Sequence, residues 1–220
     1  MVLVTAKALL AQGHRVVVHV RSEARRAAVA GLEADVVVGD LSDESQTRAV
    51  ARQVNALGVM AAVIHNAGVY QDDAVMQVNV IAPYLLTALL QRPKRLVYLS
   101  SGLHQSGRPS FPGRSYSDSK LFISTFAAAL ARRWPDVISS SVNPGWVPTK
   151  MGGKSAPDDL ELGHVTQVWL AVSDDAEARR SGHYWFHQRR AQSHAAVTDT
   201  AFQQQLLTEL ERLTGTPLPP

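Results

Sequence analysis

The chain has 220 residues, of which 45% are hydrophobic and 19% charged, a balance typical of a soluble globular protein with one core. Its 22 Lys and Arg residues against 19 Asp and Glu residues leave a formal charge of only +3. The short basic groups have acidic neighbours and no interleaved aromatic residues, so we expect no nucleic-acid partner. There are no cysteines, which excludes disulfides, zinc–thiolate sites and cysteine nucleophiles.

The apolar segments are too short to cross a membrane. The run at residues 1–5 has the length of a strand and lacks the basic leader and cleavage site of a signal peptide. We therefore expect one domain over residues 1–220, without a membrane partner. A cytoplasmic location agrees with the lack of cysteines.

Seven short runs rich in Val and Ile predict strands that are buried on both faces. They cover residues 1–4, 15–20, 35–39, 60–65, 95–100, 137–142 and 183–187. Helical patterns alternate with them near residues 6–12, 22–31, 43–57, 73–91, 114–133, 158–173 and 199–213. This alternation predicts an α/β fold: a Rossmann-like, doubly wound parallel sheet of about seven strands between two helical layers. The ligand crevice then lies at the carboxyl ends of the strands, and the tail "TPLPP" (216–220) is expected to be loose.

The segment "YSDSK" (116–120) places Tyr116 and Lys120 one helical turn apart. A phenol exchanges protons poorly near neutral pH unless a nearby cation lowers its pKa, as the Lys120 ammonium would do. Such a pair is suited to protonating a carbonyl oxygen as hydride arrives, or to removing the proton in reverse. The spacing alone is weak evidence, because Tyr and Lys four residues apart on an exposed helix are common.

Four further strings strengthen the pattern: "HNAG" (65–68), "QVNV" (77–80), "YLSSG" (98–102) and "NPGWVPT" (143–149). In this order and at these strand ends, they resemble the short-chain dehydrogenase/reductase family over residues 2–186. The resemblance implies that Tyr116 is the catalytic acid/base and that Lys120 lowers its pKa while binding the nicotinamide ribose. Ser101 would bind the substrate oxygen, with Ser100 as the alternative. Asn79 would hold a water in the proton relay, unless it merely bonds to its own helix backbone.

Other positions that match the family imply contacts with a dinucleotide. Asp40 and Leu41 would lie at the adenine, although Asp40 could instead cap the following helix. The remaining matches fall on the adenosine side, at Asn66, Ala67 and Gly68, and at the carboxamide, at Pro144, Gly145, Val147 and Thr149.

The end of the second predicted strand bears on the choice of cofactor. NAD-selective members of this fold have an acidic residue there, whereas this chain has Arg21 and Ser22. A guanidinium beside a hydroxyl suits a 2′-phosphate, so NADP is favoured over NAD. The alternative is that Arg21 is only a solvated charge at the start of a helix.

The glycine-rich turn of the family is missing. "VLVT" runs directly into "AKALLAQGHRV", so about ten residues of the expected motif are absent, and the segment between Gly68 and Asn79 is also short. Losing two or three amide–phosphate bonds at about 1.5–3 kcal/mol each would weaken cofactor binding considerably. We expect Thr5 to cap the shortened helix, and the anchors Arg21, Asp40, Lys120 and Thr149 to retain NADP at reduced affinity.

The sequence therefore predicts an NADP(H)-dependent oxidoreductase that interconverts a small-molecule carbonyl and an alcohol. The alternative is a family member without turnover that serves as a ligand-binding or interaction module. The resemblance also implies a homo-oligomer, dimer or tetramer, formed through the helices that carry Asn79 and Tyr116. The histidines predict no metal site. His104, in the loop after Ser101, is expected to be a solvated loop residue; the alternative is that it contacts the substrate.

Overall fold

The strands follow the apolar runs of the sequence, with one exception at the start of the chain. The computed structural model describes residues 1–71, 73–149, 151–153 and 155–220, without the side chain of residue 160. Its strands, in chain order, are β1 (Val17–Val20), β2 (Asp35–Val38), β3 (Ala62–His65), β4 (Arg95–Leu99), β5 (Ile138–Asn143), β6 (Tyr184–Phe186) and β7 (Arg189–Arg190).

The α-helices fill most of the intervals between these strands. They are α1 (Val2–Ala11), α2 (Glu44–Ala56), α3 (Ala82–Leu89), α4 (Tyr116–Arg133), α5 (Leu160–Val172) and α6 (Thr200–Thr214). A π-helical turn, Gln77–Ile81, leads into α3, and short 3₁₀ helices span Glu23–Val29, Gly102–Ser106 and Ala195–Val197. Within the described ranges, no helix combines the length and apolar character needed to cross a membrane.

The fold belongs to the predicted Rossmann-like α/β class, and its strands are mostly parallel. β1 pairs with β2 in parallel, and β3, β4, β5 and β6 pair in parallel in that order. Two details differ from the prediction. The strands form two separate sheets, and β7 adds an antiparallel edge to the larger one.

The predicted strand at residues 1–4 is wrong, because these residues form the first turn of α1. Thr5 donates both its backbone N–H and its hydroxyl to the carbonyl of Met1, each at 3.1 Å. No turn residue separates Val4 from the helix-forming run that starts at Ala6, so the helix extends back through Val2 instead of stopping. The prediction that Thr5 caps the helix is also wrong, since Met1 holds that position.

An apolar cavity of about 500 Å³ separates the two sheets. Its walls include Val18 of β1, Ile64 of β3 and Leu9 of α1. Because β1 and β3 both face this space, the larger sheet and the smaller sheet are joined through helices and not through strand pairing.

Helix α4 lies at the centre of the main core. Every residue from Asp118 to Leu130 is buried, against β4 and β5 on one side and α6 on the other. The tail after α6 is also fixed, so the prediction that it is loose is wrong. Tyr84 and Trp134 donate to the carbonyls of Thr216 and Pro219 at 2.7 and 3.2 Å, and Leu218 is buried.

Candidate active site

The N-terminus of α4 presents Tyr116 at the carboxyl edge of the larger sheet. Ser115 caps the helix, and Asp118 completes a capping box. The Asp118 carboxylate accepts hydrogen bonds from the backbone N–H groups of Arg108, Arg114 and Ser115 at 2.8, 3.1 and 3.1 Å. Burial raises the pKa of this carboxyl, but the hydrogen bonds outweigh burial and hold it below its usual value.

The side chain of Ser101 lies within hydrogen-bonding reach of the Tyr116 hydroxyl. Ser101 follows β4, so the carboxyl end of this strand and the start of α4 bring the pair together. Burial raises the pKa of Tyr116, and the bond to Ser101 opposes this effect. The ring of Tyr70 packs edge-to-face on Tyr116 with 4.8 Å between centroids.

Lys120 lies one turn further along α4 and is buried, with 5% of its surface exposed. Its Nζ donates to the carbonyl of Leu99 at 2.8 Å and lies 5.4 Å from the ring centroid of Tyr116. Burial lowers the pKa of Lys120 to about 8. Burial and the nearby Tyr70 raise the pKa of Tyr116, and Ser101 lowers it. The expectation that Lys120 also lowers the pKa of Tyr116 stays a prediction.

Asn79 belongs to the π-helical turn before α3, a feature often found at functional sites. Its side chain accepts from the N–H of Val69 at 2.9 Å and donates to the carbonyl of Val69 and the hydroxyl of Ser119 at 2.9 and 3.0 Å. It therefore joins the loop after β3 to α4 and does not bond to its own helix. A Cβ on Gly68 would lie 3.3 Å from Asn79 Oδ1 and 3.6 Å from Lys120 Nζ, so these residues meet at one point.

Ser100 has a different role from Ser101. It is 3% exposed, accepts from Ser124 Oγ at 2.7 Å and donates to the carbonyl of Lys120 at 3.2 Å. These bonds connect the end of β4 to α4, and they leave Ser101 as the serine beside Tyr116.

Arg21 and Asp40 face each other at the carboxyl ends of β1 and β2, with 3.9 Å between Arg21 Nε and Asp40 Oδ2. Ser42 donates its hydroxyl and its N–H to Asp40 at 2.7 and 3.0 Å, and these bonds lower the pKa of Asp40. The alternative that Asp40 caps α2 is wrong, because Asp43 caps it. Ser22 is exposed, whereas the Leu41 side chain is buried in the core and lines the cavity between the sheets.

The loop after β5 lies beside the start of α1. Gly145 has φ +84°, and a Cβ there would lie 2.7 Å from Asp158 Oδ2, so glycine is required at this turn. A Cβ on Gly163 would contact Val147 Cγ1, the carbonyl of Pro144 and Met1 Cε at 2.9, 3.2 and 3.3 Å. The loop and the first turn of α1 therefore approach each other at this point.

The other predicted cofactor residues follow β3 and β5. The Asn66 side-chain oxygen is buried and has no hydrogen-bond partner among the described residues, and Ala67 packs on the core cluster beside the smaller sheet. The hydroxyl of Thr149 accepts from the N–H of Gly152 at 3.1 Å.

Sequence reasoning missed two residues behind Tyr116. His104, expected to be solvated, is 1% exposed; its Nδ1 lies 2.7 Å from the carbonyl of Ser101, and its Nε2 accepts from the N–H of His194 at 3.2 Å. The ring of Tyr184 packs on the ring of His104 with 4.3 Å between centroids. The buried Tyr184 hydroxyl has no hydrogen-bond partner among the described residues. The position of Tyr184 at the start of an aromatic strand was the only signal.

Across the described residues, no group of three or more His, Asp or Glu side chains could hold a metal ion.

A tyrosine, a lysine and a serine lie together at the carboxyl edge of a mostly parallel α/β sheet, the edge at which ligands bind in such folds. Residues 3–160 match the short chain dehydrogenase family. The uncharacterized oxidoreductase AN7799 of Emericella nidulans is 37% identical, over 97% of this chain and 92% of that protein. The chain therefore belongs to the short-chain dehydrogenase/reductase family of oxidoreductases.

Solved structures show the same fold. An uncharacterized protein from Mycobacterium paratuberculosis superposes with a TM-score of 0.83 at 23% identity, covering 99% of this chain and 90% of that chain. An NADPH-bound carbonyl reductase from chicken fatty liver gives a TM-score of 0.70 at 18% identity, covering 87% and 93% of the two chains.

The bonds to Asp118 predict that Asp118→Asn destabilises the protein by about 2–4 kcal/mol at pH 7, because an amide cannot accept from three N–H donors. The folded pKa of Asp118 is depressed, so its contribution is present above the unfolded pKa and is lost as pH falls through the folded pKa. Urea unfolding from pH 7 to pH 2 measures both effects. Equal stability of the two proteins at pH 7 would contradict this account.

Proposed function

We propose that this chain is an NADP(H)-dependent oxidoreductase that interconverts a carbonyl and an alcohol, with Tyr116 as the acid/base. The observation that carries the proposal is the convergence of Tyr116, Ser101, Lys120 and Asn79 at one edge of the sheet. A module that only binds ligand would not require this combination of groups. The carbonyl reductase with the same fold binds NADPH, which supports a nicotinamide cofactor here.

The nicotinamide end of the proposed cofactor site fits such a ligand. Gly68 leaves open the space beside the Lys120 ammonium that a Cβ would enter, and this ammonium has spare donors for ribose hydroxyls. The backbone around Pro144, Gly145 and Val147, together with Thr149, would hold the carboxamide. A bound nicotinamide supplies or accepts the hydride.

The residues of this chain would handle the proton. Because burial raises its pKa, Tyr116 remains protonated at neutral pH and can donate to the oxygen of a substrate carbonyl. Ser101, which lies beside Tyr116, would hold the same oxygen. Asn79 would anchor a water in the relay to Lys120.

The phosphate end is the weaker part of the site. The first turn of α1 has no side-chain cap, so its N–H groups are free to face an anion. They would replace part of the missing glycine-rich turn, and Arg21 would contact the 2′-phosphate. Asp40, Leu41, Asn66 and Ala67 would line the adenosine side. We therefore propose NADP in preference to NAD, bound with reduced affinity.

The homo-oligomer, a dimer or tetramer, and the cytoplasmic location stay predictions. The outer face of α4 packs on α6 of the same chain, and α4 is buried from Asp118 to Leu130. A dimer or tetramer would therefore need a surface other than this face of α4.

Tyr116→Phe is expected to lower NADPH-dependent carbonyl reduction by about 10²–10⁴-fold, because it removes the acid that protonates the substrate oxygen. The variant should still bind NADPH. Loss of NADPH absorbance with a panel of aldehydes and ketones measures the rate. Tyr84→Phe is the matched control, since it also loses a phenol hydroxyl but lies outside the site. Equal rates for wild type and Tyr116→Phe would exclude the mechanism, and absence of turnover with bound NADPH would favour the module.

Arg21→Ala is expected to weaken NADPH about tenfold, the effect of losing about 1.4 kcal/mol of phosphate binding, and to leave NADH binding unchanged. Fluorescence titration with both cofactors measures this difference. Arg25→Ala is the control, because Arg25 is an exposed arginine on the 3₁₀ helix that begins two residues after Arg21. Equal loss of both cofactors, or no loss of either, would refute a role for Arg21 in the choice of NADP.

A further inference from the structure

The rim of the site carries a concentration of exposed apolar side chains. Among the described residues, nine large hydrophobic side chains are strongly exposed. Four of the nine lie on the loops after β3, β4 and β5, where these strands end at the site: Tyr70, Leu103, Trp146 and Met151. Large apolar side chains that are exposed on segments bordering a site are candidates for contact with a ligand.

Tyr70 places an aromatic ring directly against the proposed acid. Its ring meets that of Tyr116 at 70° with 4.8 Å between centroids, and 45% of Tyr70 is exposed. Part of the Tyr70 ring is therefore free, next to the point where a substrate carbonyl would meet the Tyr116 hydroxyl. Aromatic rings interact favourably when stacked with an offset or edge-to-face.

The segments after β4 and β5 each carry a further exposed apolar side chain. Leu103, which donates its N–H to Ser101 Oγ at 3.2 Å, is 45% exposed. Trp146 is 58% exposed, and its indole N–H is already bonded to the carbonyl of Gly152 at 2.8 Å. Because the polar atom of the indole is satisfied within the chain, its exposed part offers only apolar contact.

A stacked pair of rings stands at the end of β6. Phe186 and His187 lie 3.9 Å apart between centroids. Phe186 is in register with Asn143, the last residue of β5. His187 and Gln188 have φ of +48° and +58°, as expected for the two-residue turn that joins β6 to the antiparallel β7.

We infer that the substrate is an aromatic ketone or aldehyde whose planar ring packs on Tyr70, with Leu103 and Trp146 on the surrounding loops. This inference rests on the proposed function for the reaction, but ring recognition can be measured by binding alone. In the reaction, the carbonyl carbon gains hydride as NADPH is oxidised to NADP⁺. The oxygen gains the proton of Tyr116, and the product is the aryl-substituted alcohol.

The test compares 2-acetylnaphthalene with 2-butanone, two methyl ketones that differ in the aromatic group. Saturation-transfer NMR titrations with NADP⁺-loaded protein, in which the ketone cannot be reduced, should show that wild type binds the naphthyl ketone at least tenfold more tightly than 2-butanone. Tyr70→Ala should lose about tenfold of this affinity, the effect of one aromatic contact, whereas Tyr70→Phe should retain it. Val59→Ala is the control, since Val59 is 63% exposed and precedes β3 at the opposite edge of the sheet.

Turnover of the same two ketones separates this inference from the proposed function. If both are reduced, a kcat/KM ratio that favours the naphthyl ketone in wild type and falls in Tyr70→Ala, mainly through KM, supports the aromatic substrate. If neither is reduced while the naphthyl ketone binds through Tyr70, the reaction fails and the ring recognition holds. Equal binding of both ketones, or wild-type affinity in Tyr70→Ala, overturns the inference.

Discussion

The site depends on one buried charge, the Lys120 ammonium. Removing an ammonium from water is costly unless oxygen atoms surround it, and among the described contacts its one hydrogen bond is to the carbonyl of Leu99. Burial accordingly lowers the pKa of Lys120 to about 8. The ammonium nevertheless lies where β4, α4 and the loop at Gly68 meet, with Asn79 alongside. Burying the ammonium in this position is unfavourable for the stability of the fold. A bound ligand rich in hydroxyl groups would offset this cost by accepting hydrogen bonds from the ammonium.

The two ends of the proposed cofactor site stand on different sheets. Arg21 and Asp40 belong to the smaller sheet, whereas Ser101 and Tyr116 follow strands of the larger one. The cavity between the sheets leaves helices as the connection between these halves. A dinucleotide that reached both ends would join them directly. Any change in the spacing of the sheets would then reduce the binding energy of the dinucleotide.

Most of the fold could be predicted from the sequence, because short Val-rich runs and amphipathic stretches alternate clearly, as at residues 95–100 and 116–133. The grouping of Tyr116, Lys120, Ser101 and Asn79 followed from family motifs. The failures have separate causes. Met1–Val4 has the composition of a strand, but without a turn after it the helix continued through it. His104 and the tail after α6 were assigned from local polarity and Pro content. His104 accepts a hydrogen bond from His194, and the tail is bound by Trp134. The local sequence cannot reveal such contacts with residues that are distant along the chain.

Replacement of Lys120 by methionine tests the central claim most directly, because it removes the charge and keeps a side chain of similar length. Thermal unfolding would be measured for wild type and Lys120→Met at pH 7, each with and without saturating NADPH. The account predicts that Lys120→Met unfolds at the same or a higher temperature without NADPH, since no charge is buried, and that NADPH stabilises it much less than wild type. A variant that is strongly destabilised alone, yet is stabilised by NADPH as much as wild type, would show that Lys120 only supports the fold.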